Sequence, residues 1–390
     1  MSGTCHAGRT VTFMNQDVIR LLEELVAIDS VNPSLVRGAA GEAQIAAFVS
    51  EWATGQGLGA EVLDVPPGRP SVLVGSRADG DGPTLMLCGH LDTVGFGTMT
   101  EPLTPRVEGD RMYGRGTYDM KAGLASALIA CREADRTGLS GQVLVAAVAD
   151  EEHSSVGIQE VLRHARADAA IVTEPTELAV ATAHRGFVWI EIEVVGKAAH
   201  GSRPHLGLDA IIKTGPVLVA LDRLNTALRA NQHPTIGPGV LHASLIAGGT
   251  EESTIPDRCV LTVERRTLPG ETVQDVEKEI NDLLAACRHD DADLLTNTRT
   301  TLSREPFETS SAATIVGTVA AAVGSVLGKP AEIGGVSYWA DSAFISAAGI
   351  PTVVFGPPGD GAHAEVEWVS IDGTIKCAQA LIAAATRFCR

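Results

Sequence analysis

Over the first 185 residues or so, short apolar runs ending in Gly, Asp or Glu alternate with stretches of helical spacing. Thr84–Cys88, Val143–Val148 and Ala169–Val172 are bounded by turn residues and too short for ordinary helices, so they predict buried strands. Between them Leu124, Ala127, Leu128 and Cys131 recur at helical spacing, and Val156, Val161 and Leu162 do so more loosely. This strand–helix–strand rhythm predicts an α/β fold with an open, mostly parallel sheet.

Near Phe187 the texture changes. Val188, Ile190, Ile192 and Val194 alternate with Trp189, Glu191 and Glu193, as in a half-buried strand. Next come a helical stretch near 208–224, apolar strands near 240–247 and 259–263, a helix carrying Val273, Val276, Ile280, Leu283 and Leu284, and a short strand near 293–295. The order β-α-β-β-α-β predicts a ferredoxin-like α+β module. From about residue 299 the α/β texture resumes, with a helix face of Ile315, Val316, Val319, Val323, Val326 and Leu327 and a buried strand at Thr352–Phe355. The expected organisation is a larger domain of residues 1–186 and 299–390, interrupted by a smaller inserted domain of residues 187–298.

Charge and composition then narrow the function. The chain has 390 residues, and its 48 Asp and Glu against 30 Lys and Arg leave a net charge of −18, which argues against nucleic acid or an anionic membrane as partner. With 45% hydrophobic and only 20% charged residues, it can bury a large core and is no disordered acidic tail. Seven cysteines, Cys5, Cys88, Cys131, Cys259, Cys287, Cys377 and Cys389, fall in no paired spacing, which points to a reducing compartment without a disulfide framework. The N-terminus has no apolar signal region, and the uncharged stretch 309–328 is too diluted by Thr, Ser and Gly for a membrane span. A soluble cytoplasmic protein is expected.

Five segments place a His or a carboxylate beside a strand end: Gly89-His90-Leu91-Asp92, Tyr118-Asp119-Met120, Asp150-Glu151-Glu152, Thr173-Glu174-Pro175 and Gly361-Ala362-His363. In an open α/β sheet, ligands bind outside the carboxyl ends of the strands, so these groups can converge. Singly, each is more simply a satisfied histidine or a solvated acidic loop. Together they are the N/O ligand set suited to Zn²⁺ or Co²⁺. Basic residues are scarce around them, and carboxylates crowded without cations cost several kcal/mol in repulsion and desolvation, which bound metal relieves.

On the segments LMLCGHLDTV, GRGTYDMKAG, VADEEHSSVG, VTEPT, GKAAHGSRP and the late GAHA, the sequence resembles the M20 metallopeptidase family over nearly its whole length. That group includes acetylornithine deacetylase, succinyl-diaminopimelate desuccinylase, aminoacylase and glutamate carboxypeptidase. The resemblance implies a catalytic domain with an inserted lid and dimerisation domain, two divalent metal ions (Zn²⁺, with Co²⁺ the alternative) and a homodimer. It implies that His90, Asp119 and Glu174 hold one ion and that Asp119, Glu152 and His363 hold the other, with Asp119 as bridge. It further implies Glu151 as general base, Asp92 behind His90 with its carboxylate on the second imidazole nitrogen, and His200 as an oxyanion donor reaching across the dimer. Gly196, Gly201 and Pro204 around His200 match the family pattern.

Arg266 resembles the family arginine that binds a substrate carboxylate, a task that suits a guanidinium fork; an exposed strand-end arginine is the plainer account. The segment GGVSYWADSAF, with Tyr338, Trp339 and Asp341, resembles one that lines the substrate site, though packing explains its aromatics equally well. One departure is Ser253, where the family often has Asn three residues before the Pro of GGTEESTIPD. The expected activity is hydrolysis of the amide of an N-acyl amino acid. Glu174, rather than Asp at that position, leans by resemblance towards deacylases and carboxypeptidases. The alternatives are a metallo-carboxypeptidase or dipeptidase on the same scaffold and, from a different class, a non-catalytic metal-containing binding protein.

Overall fold

In the computed structural model the backbone is described for residues 3–390 and side chains from Met14 onward; the N-terminal segment read above for a signal, and Cys5, lie outside the described side chains. The chain divides into two compact units, one of residues 1–182, 309–334 and 340–390, the other of residues 183–308 and 335–339.

The first unit is built on a mixed sheet. Six of its strands neighbour one another in the order Gly59–Leu63, Ser71–Gly75, Gln142–Val148, Thr84–His90, Ala169–Val172 and Thr352–Val354. The last four are mutually parallel, and the first two add on antiparallel. Alternation explains why the parallel strands read as unbroken apolar runs. Leu85, Leu87, Val143, Val145 and Ile171 face one core with the helices Gly3–Val26, Ala122–Thr137, Thr314–Leu327 and Ile371–Phe388. Met86, Cys88, Ala146 and Ala170, equally buried, fall at the alternate positions, and the helices Val156–His164 and Ser342–Ala347 also pack on these strands. A strand covered on both faces has no polar side to show. The expected α/β class with a mostly parallel sheet is what forms. The six cysteines among the described side chains are all buried and free, and none of the described helices is long and apolar enough to cross a membrane.

The second unit is a four-stranded antiparallel sheet in the order Val240–Gly248, Arg258–Thr267, Gly186–Val195, Leu295–Arg304. The helices Ala210–Leu228 and Val273–Asp290 join Val188, Ile190, Ile192 and Val194 in one core. This is the ferredoxin-like arrangement. The closing strand expected near 293–295 is ten residues long, Leu295–Arg304, and pairs along its length with Gly186–Val195. Its exposed Thr and Asn residues hide it from an apolar-run reading.

Candidate metal centre

The parallel strands bring the chemistry to one edge. His90 ends Thr84–His90, Glu174 lies just beyond Ala169–Val172, and Glu151 and Glu152 just beyond Gln142–Val148. Asp119 comes from the turn that enters the helix Ala122–Thr137. That helix starts against the loop holding Glu174, so closely that a Cβ on Gly123 would lie 1.9 Å from the Thr173 carbonyl oxygen. Only glycine permits the approach that sets Asp119 beside Glu174.

Two ligand groups share Asp119, and within each group the donor atoms all lie within 4.8 Å of one another. Around the first, His90 Nε2 is 3.1 Å from Asp119 Oδ1 and 3.5 Å from Glu174 Oε1. Around the second, His363 Nε2 is 3.2 Å from Asp119 Oδ2 and 3.0 Å from Glu152 Oε2. The two oxygens of one carboxylate thus face different imidazoles. His90 Nδ1 is 2.8 Å from the Asp92 carbonyl oxygen, which can only accept, so Nδ1 carries a proton and Nε2 is the nitrogen turned to the cluster, able to ligate once its own proton is displaced. Two imidazoles and three carboxylates in this arrangement fit a pair of borderline divalent cations.

Electrostatics tell the same story. Burial pushes the Glu174 carboxyl up to about 8 against the pull of His90. Burial also raises Glu152, helped by Asp119, and lifts Glu151 well above the carboxylate range, with Asp341, Glu174 and Glu152 adding repulsion against the pull of His90. Burial acts on Asp119 in the same direction, but hydrogen bonds from His363 and His90 outweigh it and hold this carboxyl below its ordinary value. Asp119 and Glu152 push His363 up to about 10, and His90 rises well above its usual value because Glu174 and Asp119 overcome its burial. Without metal, the raised groups retain protons that a cation would displace, while Asp119 stays ionised. Glu151 accepts no hydrogen bond at its carboxylate among the described residues; its backbone N–H donates to Asp92 Oδ1 at 3.2 Å.

Asp92 differs from expectation in detail. Its carbonyl, not its carboxylate, takes the His90 N–H; Oδ1 lies 3.8 Å from Nδ1. The carboxylate instead accepts the backbone N–H groups of Glu151 and Glu152, each at 3.2 Å, and the Asn32 amide at 2.7 Å. It orients the acidic pair rather than the ring.

His200 and Arg266 belong to the second unit. His200 is exposed on a two-residue strand paired with Thr254–Ile255, and its Nδ1 accepts the Ser202 N–H at 3.2 Å. The ring proton therefore sits on Nε2, which has no partner among the described residues. Ser253 adjoins this pairing, its carbonyl accepting the Gly201 N–H at 2.7 Å. Arg266 Nε donates to Glu264 Oε1 at 2.6 Å, the guanidinium lies 5.1 Å from the Phe187 ring centre, and neither Nη has a hydrogen bond among the described residues. Trp339 sits edge-on to Phe187 at 6.3 Å and donates to the Glu305 carbonyl at 3.1 Å, so it is at least partly a packing residue.

Comparison with known proteins identifies the family. The model of Peptidase family M20/M25/M40 matches residues 86–387. The chain belongs to this family. Acetylornithine deacetylase of Salmonella typhimurium is 32% identical over 281 residues, covering 68% of this chain and 72% of that protein. Among solved structures, aminopeptidase PepT from Bacillus cereus superposes with a TM-score of 0.80 at 18% identity, over 96% of this chain and 99% of that one. The YXEP protein of Bacillus subtilis, a dinuclear metal-binding M20 peptidase, gives 0.74 at 16% identity over 97% and 99%. As an M20 protein the chain is a metal-dependent hydrolase, which removes the non-catalytic alternative.

Some residues behind the candidate ligands were not singled out from sequence. Arg69 is forked onto Glu42 at 2.6 and 2.8 Å and also reaches Asp150 Oδ1 at 2.7 Å, while Asn32 ties Asp150 to Asp92. Asp150 adopts φ 66° at the elbow presenting Glu151 and Glu152. Arg115 meets Glu367 at 2.7 Å, both buried. Of these two cations Arg69 comes from outside the motifs and Arg115 from within GRGTYDMKAG, and both neutralise outer carboxylates rather than the cluster itself. Glu42, in an Ala-rich run, and Glu367, beside Trp368, carry only the faint signal of an acid in apolar surroundings.

Proposed function

We propose that this M20 hydrolase is a dinuclear enzyme that cleaves the amide of an N-acyl amino acid, as the 32% identity to acetylornithine deacetylase suggests. The observation that carries the dinuclear reading is the split of Asp119, one oxygen 3.1 Å from His90 and the other 3.2 Å from His363. His90, Asp119 and Glu174 would hold one ion and Asp119, Glu152 and His363 the other, with Zn²⁺ favoured by the donor set and Co²⁺ a working substitute. Bound there, such a pair polarises a carbonyl and acidifies a shared water.

The chain's own residues do the rest. Glu151, with an uncommitted carboxylate, takes the proton of the attacking water and passes it to the leaving nitrogen. Asp92 fixes the backbone that aims it. His200, with its proton on Nε2, supplies the donor for the tetrahedral oxyanion, from the partner subunit of a homodimer. The second unit supports a dimer by its exposed apolar surface: Leu245 and Ile246 on the edge strand Val240–Gly248 are 69% and 57% exposed, and Ile212 on the helix Ala210–Leu228 is 71% exposed. Arg266 receives the substrate carboxylate through its two free Nη groups. A reducing, cytoplasmic setting suits the free buried thiols.

A second reading, a carboxypeptidase or dipeptidase, takes its support from structural neighbours such as the M20 metallo-carboxypeptidase of Sulfolobus solfataricus and human carnosine dipeptidase 1. A mass-spectrometric screen of N-acyl amino acids and dipeptides with Zn²⁺- or Co²⁺-reconstituted protein separates the two. Release of amino acid from acyl substrates with dipeptides untouched is the expected result. Turnover of dipeptides alone overturns it.

A further inference from the structure

Glu367 is almost wholly buried, and every hydrogen bond its side chain makes goes to the segment that carries Asp119. Oε1 accepts the backbone N–H groups of Tyr118 at 2.9 Å and Asp119 at 3.1 Å. Oε2 accepts the Gly116 N–H at 3.0 Å and Arg115 Nη1 at 2.7 Å. Four donors satisfy one carboxylate. Gly116 takes φ 79°, and a Cβ there would lie 2.8 Å from Thr93 Cγ2, so the turn that aims these N–H groups requires glycine.

The other end of the contact matters as much. Glu367 lies four residues after His363, and Arg115 Nη2 donates to the carbonyl of Ala364, next to His363, at 2.9 Å. The intervening loop folds back tightly: a Cβ on Gly361 would lie 1.9 Å from the Val366 carbonyl, and the Ala364 N–H bonds to the Gly361 carbonyl at 2.9 Å. His363 has no residue of slack on its C-terminal side before the Ala364 carbonyl is pinned, and only three before Glu367 is. Arg115 and Glu367 therefore bind the Asp119 segment to the His363 segment, setting the spacing between two of the three donors in the second ligand group.

We propose that Glu367, with Arg115, is a positioning residue for the second metal position and acts on it selectively. The inference rests on the dinuclear reading. The second group takes two of its three ligands from the clamped segments; the first takes one, with His90 and Glu174 held at strand ends outside the clamp. Groups behind metal ligands typically govern affinity by 10- to 100-fold. Replacing Glu367 should weaken the second ion by about that factor and the first by a few-fold at most.

The test uses the full chain, stripped with chelator and titrated with Zn²⁺ against a chromogenic competitor. It compares wild type with Glu367→Gln, Glu367→Asp, His363→Ala and His90→Ala. Gln keeps the size but loses two acceptor pairs; Asp keeps the charge but falls a methylene short of its partners. The expected Glu367→Gln isotherm has one tight ion kept and one weakened, resembling His363→Ala and not His90→Ala, with Glu367→Asp intermediate. Co²⁺ absorption of the same variants should show the loss in one of the two bands of sites. Equal weakening of both ions, or two ions bound as in wild type, overturns the inference. A Glu367→Gln chain that does not fold leaves Glu367→Asp to decide by the same criterion. Wild type binding fewer than two ions would instead overturn the dinuclear reading itself.

Discussion

Metal uptake by this site should be coupled to proton release, by an amount legible in its geometry. In the metal-free chain His363 is held up to about 10 by Asp119 and Glu152, and Glu174 is pushed up to about 8 by burial. At pH 7 each therefore carries close to one proton, and both must give it up to ligate. The release is ~2 protons from these two, more to the extent that His90, also raised, loses its own. Apparent affinity for Zn²⁺ should then rise roughly 100-fold per pH unit near neutrality. By pH 9 Glu174 has ionised unaided, and the slope should fall by about one proton. The protons belong to the cluster as a whole, so the measured quantity is their number.

The same shifts fix the sign of the pH dependence of stability. Groups whose value is raised on folding stabilise the metal-free chain below their unfolded value and lose that contribution as pH climbs through the folded one. The metal-free protein therefore loses the Glu174 contribution as pH rises from its ordinary value to about 8, and the His363 contribution as pH rises from its ordinary value to about 10. Asp119, lowered on folding, contributes in full at neutral pH and loses that contribution only in acid. The gap in melting temperature between metal-loaded and metal-free protein should widen from pH 6 to pH 9. Isothermal titration in buffers of different ionisation enthalpy measures the proton count, and differential scanning calorimetry measures the gap. A binding enthalpy independent of buffer, or a gap that narrows with pH, would refute the reasoning.

Three further outcomes are expected. Glu151→Gln should keep most of its metal yet lose about 10²–10⁴ in kcat, whereas Glu152→Gln should lose metal first; elemental analysis beside the assay distinguishes them. Mixing His200→Ala chains with Glu151→Ala chains should restore part of the activity, because one site of each heterodimer keeps both groups, and no rescue in verified heterodimers would return His200 to its own subunit. Amidating the substrate carboxylate should lower kcat/KM by about one to two powers of ten, the worth of a charge-assisted bond of roughly 1.5–3 kcal/mol. Arg266→Ala should cost as much with the free acid, and the two losses should not add.

How far the sequence carried depends on range. Thr84–His90, Gln142–Val148 and Ala169–Val172 were legible because a two-sided strand is apolar throughout, and the strand Gly186–Val195 because its alternation survives in buried and exposed positions. Leu295–Arg304 was not, since all of its residues are at least partly open to solvent and its place in the sheet is owed to backbone pairing and polar side-chain contacts such as Arg299 to Glu191 and Thr300 to Glu277. The ligand residues were legible because each stands in a short motif at a strand end. Their spacing from one another was not, because it is set by contacts between distant segments.

Asp92 illustrates that limit. From sequence, H-x-D suggests a carboxylate orienting a neighbouring imidazole. The fold hands that task to the Asp92 carbonyl and turns the side chain towards the backbone of Glu151 and Glu152, some sixty residues away. Arg115 and Glu367, 252 positions apart, do the corresponding work for Asp119. In both cases a buried carboxylate accepts main-chain N–H groups next to a functional acid. That contact fixes the acid's direction without touching its oxygens, which stay free for cation or proton. The outer carboxylates can bear burial because Arg69, Asn32, Arg115 and backbone donors satisfy them locally. The inner ones have no arginine or lysine beside them among the described residues, only two imidazoles that can themselves ligate, and that difference is what suits the cluster to metal.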